Sequence, residues 1–338
     1  MTVPRVTYAH LLTLSDEVAT FEHARVATPR LEHGYCTDDV ARVVVVLARD
    51  GATSEPLRDL LARSLRFLAL AQDGDGRCRN RRSHDGHWSG EWTTEDCWGR
   101  LLWGAGTAAA RASDESTRLG ALELFERGAQ VRSPWTRSMA FATLGAVEVL
   151  RRDPSHQSAR DLLNDALGVL SGPWQSSAWR WPESRLTYAN AALTQAYLEA
   201  AWMLGRDDHV ERSLVQLKWL LEGESTLTHL SVTPVGGRGP GERGPGFDQQ
   251  PIEVSALADA CASAWRLTGE RQWREGVEMA IGWFVGANDS GVPMYDVATG
   301  GGYDGLTQNG PNLNQGAEST LALLSTLQHA RLLEGVAS

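Results

Sequence analysis

Cysteine is scarce in this chain of 338 residues: Cys36, Cys78, Cys97 and Cys261 lie far apart and form no Cys-x-x-Cys. A disulfide framework is not expected in a chain this size without a secretory signal. Met1 to Arg5 holds no basic region leading into an apolar segment, so no signal peptide is expected and a cytoplasmic location is. Long apolar runs are missing too. None approaches the roughly 20 residues a bilayer needs. Basic residues fall short of acidic ones, 32 Lys and Arg against 42 Asp and Glu, for a formal net charge of -10. That balance excludes the basic footprint of a nucleic-acid binder and disfavours an anionic membrane surface. Strand signals are nearly absent. Only Val43–Val46 reads as β-like, and it sits inside a helical pattern.

What is present is a large apolar fraction, 42%, ample for a sizeable core. Charged residues at 22% and aromatics at 7% exclude wholesale disorder. Tryptophan is over-represented, 13 against 6 Tyr and 6 Phe. Its indole suits a place where a flat apolar face meets a partly polar partner. Barrels often run this long as one unit, so residues 1–338 read as a single domain.

Apolar residues recur at three- and four-residue spacing through Val40–Leu47, Leu57–Leu70, Leu101–Ala110, Leu119–Ala129, Ala140–Leu150, Ala159–Leu170, Ala191–Leu204, Val210–Leu221, Val254–Leu267, Trp273–Val285 and Ala317–Leu332. The chain is therefore expected to be all-α. Some connections are brief turns, such as Arg49-Asp50-Gly51, Ala112-Ser113-Asp114, Arg152-Asp153-Pro154, Leu204-Gly205-Arg206 and Leu267-Thr268-Gly269. Others are long and rich in Gly, Trp, Asn and acids: Asp73–Trp92, Gly172–Arg185, Gly223–Gln250 and Asn288–Asn314. Helices starting near Thr37, Thr93, Ser133, Leu186, Pro251 and Asn314 each follow a longer connection. Six helical hairpins result, with the last return helix missing or supplied by Asp16–Arg25. Closed in a ring they give an (α/α)6 barrel, with the long loops at one end. An open solenoid of helix pairs is the alternative, and it wants shorter, more uniform loops.

The starts of the six inner helices share a chemistry. They read His33-Gly34-Tyr35-Cys36-Thr37-Asp38-Asp39, Trp92-Thr93-Thr94-Glu95-Asp96, Ser133-Pro134-Trp135, Trp179 to Glu183 followed by Leu186-Thr187-Tyr188-Ala189-Asn190, Phe247-Asp248-Gln249-Gln250-Pro251-Ile252-Glu253, and Asn314-Gln315-Gly316-Ala317-Glu318. Carboxylates do acid–base work, amides grip hydroxyls, and indoles stack on the apolar faces of sugar rings. Converging on one bowl, these groups compose a carbohydrate site. Each carboxylate also has a structural reading. Asp and Glu in a first turn favour the helix dipole, and Thr93-x-x-Asp96 has the spacing of a capping box.

Other motifs give less. His84-Asp85-Gly86-His87 offers two imidazoles but no third or fourth zinc ligand at recognisable spacing. Asp73-Gly74-Asp75-Gly76 opens like a calcium loop, yet His84 stands where the closing Glu belongs, so a turn is expected. Gly236–Gly246 follows no strand and reads as a flexible flap, not a phosphate cradle. Asp38-Asp39 resembles terpene-cyclase acids, but its amide-rich companions argue against an isoprenoid cavity. No metal and no cofactor are expected.

The stretches His33–Arg42, Glu95–Arg100, Phe247–Glu253 and Asn314–Thr320 resemble the six-hairpin glycosidase-like domain of bacteria, called glycosyltransferase-associated because it is found fused behind a transferase domain. The resemblance covers nearly the whole chain. It implies an (α/α)6 toroid and a carbohydrate-related role, with an oligosaccharide substrate and a glycosyltransferase as a candidate partner. Two positions depart from the pattern. Ala189 stands where an Asp is expected in Thr-Tyr-Asp-Asn, and Cys78 where an aromatic should follow Gly76-Arg77.

The leading expectation is a glycoside hydrolase, inverting by preference, which needs a general acid and a general base about 6.5–9.5 Å apart. Asp38 or Asp39 and Glu95 or Asp96 come first, with Asp248, Glu253 and Glu318 behind them. Tyr35, Trp88, Trp92, Trp181, Tyr188, Asn190, Gln249, Gln250, Asn314 and Gln315 are the candidate substrate contacts. Sugar epimerisation is an alternative that usually wants two histidines, and only His33 and His229 lie near the site loops. A non-catalytic glycan-binding module serving a glycosyltransferase is the third reading.

Overall fold

The structure, a computed structural model, describes residues 3–334; Met1 and Thr2 of the N-terminal stretch, and residues 335–338, lie outside the described residues. Among the described residues the helices are α1 (Ala9–Thr13), α2 (Thr37–Asp50), α3 (Glu55–Ala71), α4 (Asp96–Arg111), α5 (Glu115–Gly128), α6 (Thr136–Arg152), α7 (Gln157–Leu170), α8 (Asn190–Met203), α9 (Asp207–Gly223), α10 (Pro251–Thr268), α11 (Arg271–Phe284), α12 (Ala317–Gln328) and α13 (Ala330–Glu334). The strands are all short, two or three residues each. Tight turns join α2 to α3, α4 to α5, α6 to α7, α8 to α9 and α10 to α11, as the Gly and Asp punctuation requires. Gly51 and Gly269 end α2 and α10 in the left-handed conformation.

Asp16–Arg25 is not a return helix. Asp16 Oδ1 accepts from the backbone N–H groups of Val18 and Ala19 and bends the chain there. Ala24–Arg25 then pairs with Thr28–Pro29 as a small antiparallel ladder. A turn-forming aspartate at the start of the segment bends the chain away from a helix.

The chain divides into two compact units, and the division runs through α1 and α8. Leu11–Leu170 with Glu199–Arg206 holds α2 to α7. In it α2, α4 and α6 run parallel, because their partners advance together. Asp38 faces Arg100, and Ala41 lies against Gly104. Asp96 bonds Ser138, Gly99 lies against Ser138, and Gly106 against Gly145. The first turns of the three helices thus share one end of this unit. Glycine sets the spacing of α4 and α6. A Cβ at Gly106 would lie 2.7 Å from the Gly145 carbonyl carbon, and one at Gly99 would lie 2.9 Å from Ser138 Cα. The apolar side chains of Val40–Leu47, with Trp98, Leu102 and Phe141, fill the interior. Trp98 is fully buried and donates its N–H to the Gly128 carbonyl. At the C-terminal ends of the helices Glu148 joins Arg111 at 2.6 Å and Arg151 at 2.7 Å, and Arg151 continues to Glu199 at 2.6 Å. Burial pushes the Glu148 carboxyl up, but the two arginines outweigh it and hold it below its usual range.

The other unit is residues 1–10, Ser171–Leu198 and 207–338, of which residues 1, 2 and 335–338 are not described. The start of α8 runs parallel to α10, since Asn190 bonds Glu253 and, further on, Gln195 bonds Ser263. α12 packs on α10, where the Ser325 hydroxyl donates to Asp259 at 3.1 Å. Trp273, Trp283, Phe284, Leu257 and Leu321 are buried in its core.

Candidate functional site

In the first unit a loop is fastened over the shared end of α2, α4 and α6. Tyr35–Cys36, Arg81–Arg82 and Trp88–Ser89 form a three-stranded antiparallel sheet. The Thr37 hydroxyl donates to the Arg79 carbonyl at 2.7 Å, and the Thr37 N–H to the Asn80 carbonyl at 2.8 Å. Cys78 and Thr93 exchange backbone hydrogen bonds, both 2.8 Å. This brings Asn80 to the first turn of α2.

Asp38 lies in that turn, half-buried. Asn80 Nδ2 donates to its Oδ2 at 2.9 Å. Its Oδ1 stands 3.6 Å from Arg100 Nε, inside ion-pair range but beyond a hydrogen bond, and is buried with no hydrogen-bond partner. Arg100 is itself buried, with its guanidinium 3.9 Å above the Phe141 ring. Asp39 is buried and paired with Arg42 one turn on. Asp96 accepts from the Ser138 hydroxyl at 3.0 Å. Glu95 precedes α4 as its cap position and is exposed. The Thr93 hydroxyl accepts the Glu95 N–H at 2.8 Å, and the helix starts two residues later than a Thr93 cap would place it. Trp92 is half-buried under the Arg79 guanidinium, 4.3 Å from the ring centre. Trp88 is half-buried against Phe67, and Trp135 is 59% exposed.

Tyr35 is fully buried and donates to Asp16 at 2.6 Å. Burial and that carboxylate push its hydroxyl well above the usual range. His23 and His33 meet edge to face with ring centres 4.9 Å apart. Glu22, Cys36 and Asp39 bring three possible metal ligands within 4.8 Å of one another. They fit a cation poorly. Arg81 pairs with Glu22 and Arg42 with Asp39, while burial and the neighbouring carboxylates push the Cys36 thiol far up.

The second unit gathers the remaining candidates. Glu253, buried in the first turn of α10, accepts from the N–H groups of Ala189 and Asn190 and from Asn190 Nδ2 at 3.1 Å. Ala189 adopts φ 46°, so the chain turns sharply into α8 beneath that carboxylate. Gln249 is buried, donates to Asp289 Oδ2 at 2.5 Å and accepts from the Trp283 indole at 3.1 Å. Asp289 in turn meets His229 at 3.1 Å. Gln315 is buried, accepts from the Thr299 hydroxyl at 2.6 Å and donates to Asp296 at 3.1 Å. Trp181 is fully buried. Gln250 and Asn314 are half-buried at the starts of their helices, and Glu318 is half-buried in the first turn of α12. Tyr188 is 43% exposed, and Asp248 is exposed. Asp304, not singled out from the sequence, accepts the Gly316 N–H at 2.7 Å and the Ser319 hydroxyl at 2.8 Å, and so caps α12.

Sequence reasoning also passed over Asn80 and the role of Arg100. Arg100 had a signal, an arginine on a helix face otherwise of small and apolar residues. Asn80 had none, for an amide in a loop looks the same whatever it holds.

The sequence matches no protein-family model and no curated protein. Solved structures do match. A sugar epimerase from a ruminal bacterium superposes with a TM-score of 0.71 at 12% identity, over 96% of this chain and 95% of that one. Cellobiose 2-epimerase from Spirochaeta thermophila gives 0.67 at 10% identity, over 95% and 93%. The GH76 α-mannanase from Bacteroides thetaiotaomicron gives 0.60 at 9% identity, over 89% and 88%. Among the described residues no helix is long and apolar enough to cross a membrane. At these identities the likeness speaks for architecture, and the chain has an all-α fold of the six-hairpin, (α/α)6 class.

Proposed function

We propose that this protein is a carbohydrate-active enzyme, a glycoside hydrolase whose proton-accepting group is Asp38. The observation that carries the reading is the state of that side chain. One oxygen is fixed by Asn80, and the other, buried and without a hydrogen bond, faces Arg100. Oδ2 accepts from Asn80, while Oδ1 makes no hydrogen bond and so keeps its lone pairs for a proton. The second carboxylate is Glu95, exposed where α4 begins, with Asp96 held beside it by Ser138. Neighbouring helices pack with axes about 8–10 Å apart. Carboxylates at the starts of parallel neighbours therefore suit the roughly 6.5–9.5 Å of an inverting pair. A water between them loses its proton to Asp38 as its oxygen attacks the anomeric carbon. Glu95 protonates the glycosidic oxygen as that bond breaks. The half-buried Trp92 supplies ring surface for a sugar.

The epimerase reading is supported by the epimerases among the similar structures. Two groups that abstract and return a proton on opposite faces of a carbon are what epimerisation needs. Incubation with defined oligosaccharides in D2O separates the readings. Hydrolysis releases new reducing ends with no deuterium on carbon. Epimerisation changes the isomer ratio and washes deuterium into the inverted carbon. A binding-only role beside a glycosyltransferase gives saccharide binding and neither product. For the hydrolase, Asp38→Asn keeps size and most hydrogen bonding but cannot take a proton, so turnover falls about a hundred- to ten-thousand-fold while folding is kept. Full activity in that variant would remove Asp38 from the mechanism.

A further inference from the structure

The second unit contains a cavity of 540 Å³ between the loop that precedes α8 and the long connection from α9 to α10. That volume falls within the roughly 300–1,000 Å³ of small-molecule sites. None of its lining residues is a carboxylate proposed above for catalysis. Trp179 and Trp219 line it, meeting edge to face with ring centres 5.0 Å apart. Their N–H groups are engaged inside the protein, Trp179 with the Glu183 carbonyl at 2.7 Å and Trp219 with the Ala178 carbonyl at 3.2 Å. They have ring surface left to offer a ligand.

Ser231 lines the same cavity, is 5% exposed, and its hydroxyl has no hydrogen-bond partner. A buried hydroxyl without a partner is costly. The space beside it is kept open by glycine. A Cβ at Gly244 would stand 2.8 Å from Ser231 Oγ and 3.0 Å from Arg238 Nη2. Arg238 is buried and fixed by the Gly223 carbonyl at 2.8 Å and the Ser231 carbonyl at 3.2 Å. The segment 236–246, which reads from sequence as a flap, is tied down. Arg185 makes two bonds to Glu242, at 2.8 and 2.9 Å, and Leu186 pairs with Arg238 through their backbones. Charges of both signs line the cavity, Glu222 and Glu242 against Arg243 and Arg238, so no net charge selects an ion. A ligand with apolar faces, hydroxyls and no charge fits all of this.

We propose that this cavity is a saccharide-binding site, with a sugar ring against Trp179 and Trp219 and a sugar hydroxyl bonded to Ser231. The choice of ligand rests on the carbohydrate reading above. The test uses the full chain and three probes, maltohexaose, cellohexaose and mannohexaose, with calorimetric titration of wild type, Ser231→Ala and Trp179→Ala. At least one probe binds the wild type. Ser231→Ala, which removes a hydroxyl that nothing in the protein uses, melts no lower than wild type and binds about two- to tenfold more weakly. Trp179→Ala binds more weakly still. Equal binding by all three proteins, or no binding of any probe by the wild type at millimolar concentration, overturns the site. Product formation from the same probes is followed in parallel. Cleavage without Ser231-dependent binding sinks this inference alone. Ser231-dependent binding without cleavage or epimerisation sinks the catalytic reading alone.

Discussion

Gly145→Ala tests how closely α4 and α6 are packed. A Cβ at Gly145 would collide with the Leu102 carbonyl, whose carbon would lie 2.6 Å away, and with Trp103 Cα at 3.0 Å. Carbon atoms rest about 3.5–4.0 Å apart, so the two helices would have to part by about 1 Å. Both colliding partners are backbone, with no rotamer to relieve them. The cost therefore belongs near the top of the usual range for overpacking, about 3 kcal/mol. Alanine returns about 1 kcal/mol of helix propensity. The net loss is about 2 kcal/mol, and at 2–4 °C per kcal/mol for a unit of 150–250 residues it lowers Tm by about 4–8 °C. Gly120→Ala is the internal control. It is the same exchange in the exposed middle of α5, with nothing within 4 Å of the new methyl, and it gains about 0.5–1 kcal/mol. Circular dichroism melts of the two variants should move in opposite directions. A Gly145→Ala protein as stable as wild type would refute the packing argument.

Two further outcomes concern stability. Glu253→Ala strips the start of α8 of an acceptor for two backbone N–H groups and the Asn190 amide, and should cost about 3 kcal/mol in urea denaturation; a loss below about 1 kcal/mol would show that these donors find other partners. Burial pushes the Glu224 carboxyl up, against Thr233 and Arg238, which pull it down. A carboxyl raised in the folded state favours folding most when protonated, so its contribution is full below its ordinary 4.5 and is lost as pH rises through the raised value. Glu224→Gln should then flatten the fall of Tm between pH 4 and 8 and melt higher than wild type at pH 8; a steeper fall in the variant would contradict the sign.

The helices were legible because their apolar spacing is regular and their hairpin turns carry Gly and Asp. Their starts were less so. Thr93 and Ser133 look like caps, yet their hydroxyls accept the N–H two residues on, from Glu95 and Trp135, and the helices begin later. Sequence supplies the residue types at the helix starts but not their partners. Gln249 and Gln315 could grip a sugar as readily as a neighbouring side chain, and only the fold shows Asp289, Trp283, Asp296 and Thr299 beside them. Asp38 and Asp39 are adjacent and chemically alike. One faces an arginine across to α4 and the other an arginine on its own helix, and no local pattern distinguishes them.

The parallel stacking of α2, α4 and α6 bears on the order in which the chain assembles. Each hairpin closes across a turn of a few residues, whereas Gly99 meets Ser138 and Asp38 meets Arg100 only after a whole hairpin has been spanned. Contacts between distant stretches of chain form late, because the loop must be closed before they repay it. Helix pairs therefore collapse first and dock side by side afterwards. The end where Asp38, Asn80 and Arg100 meet comes into being only with that docking, so the chain acquires its candidate chemistry in the last steps of folding.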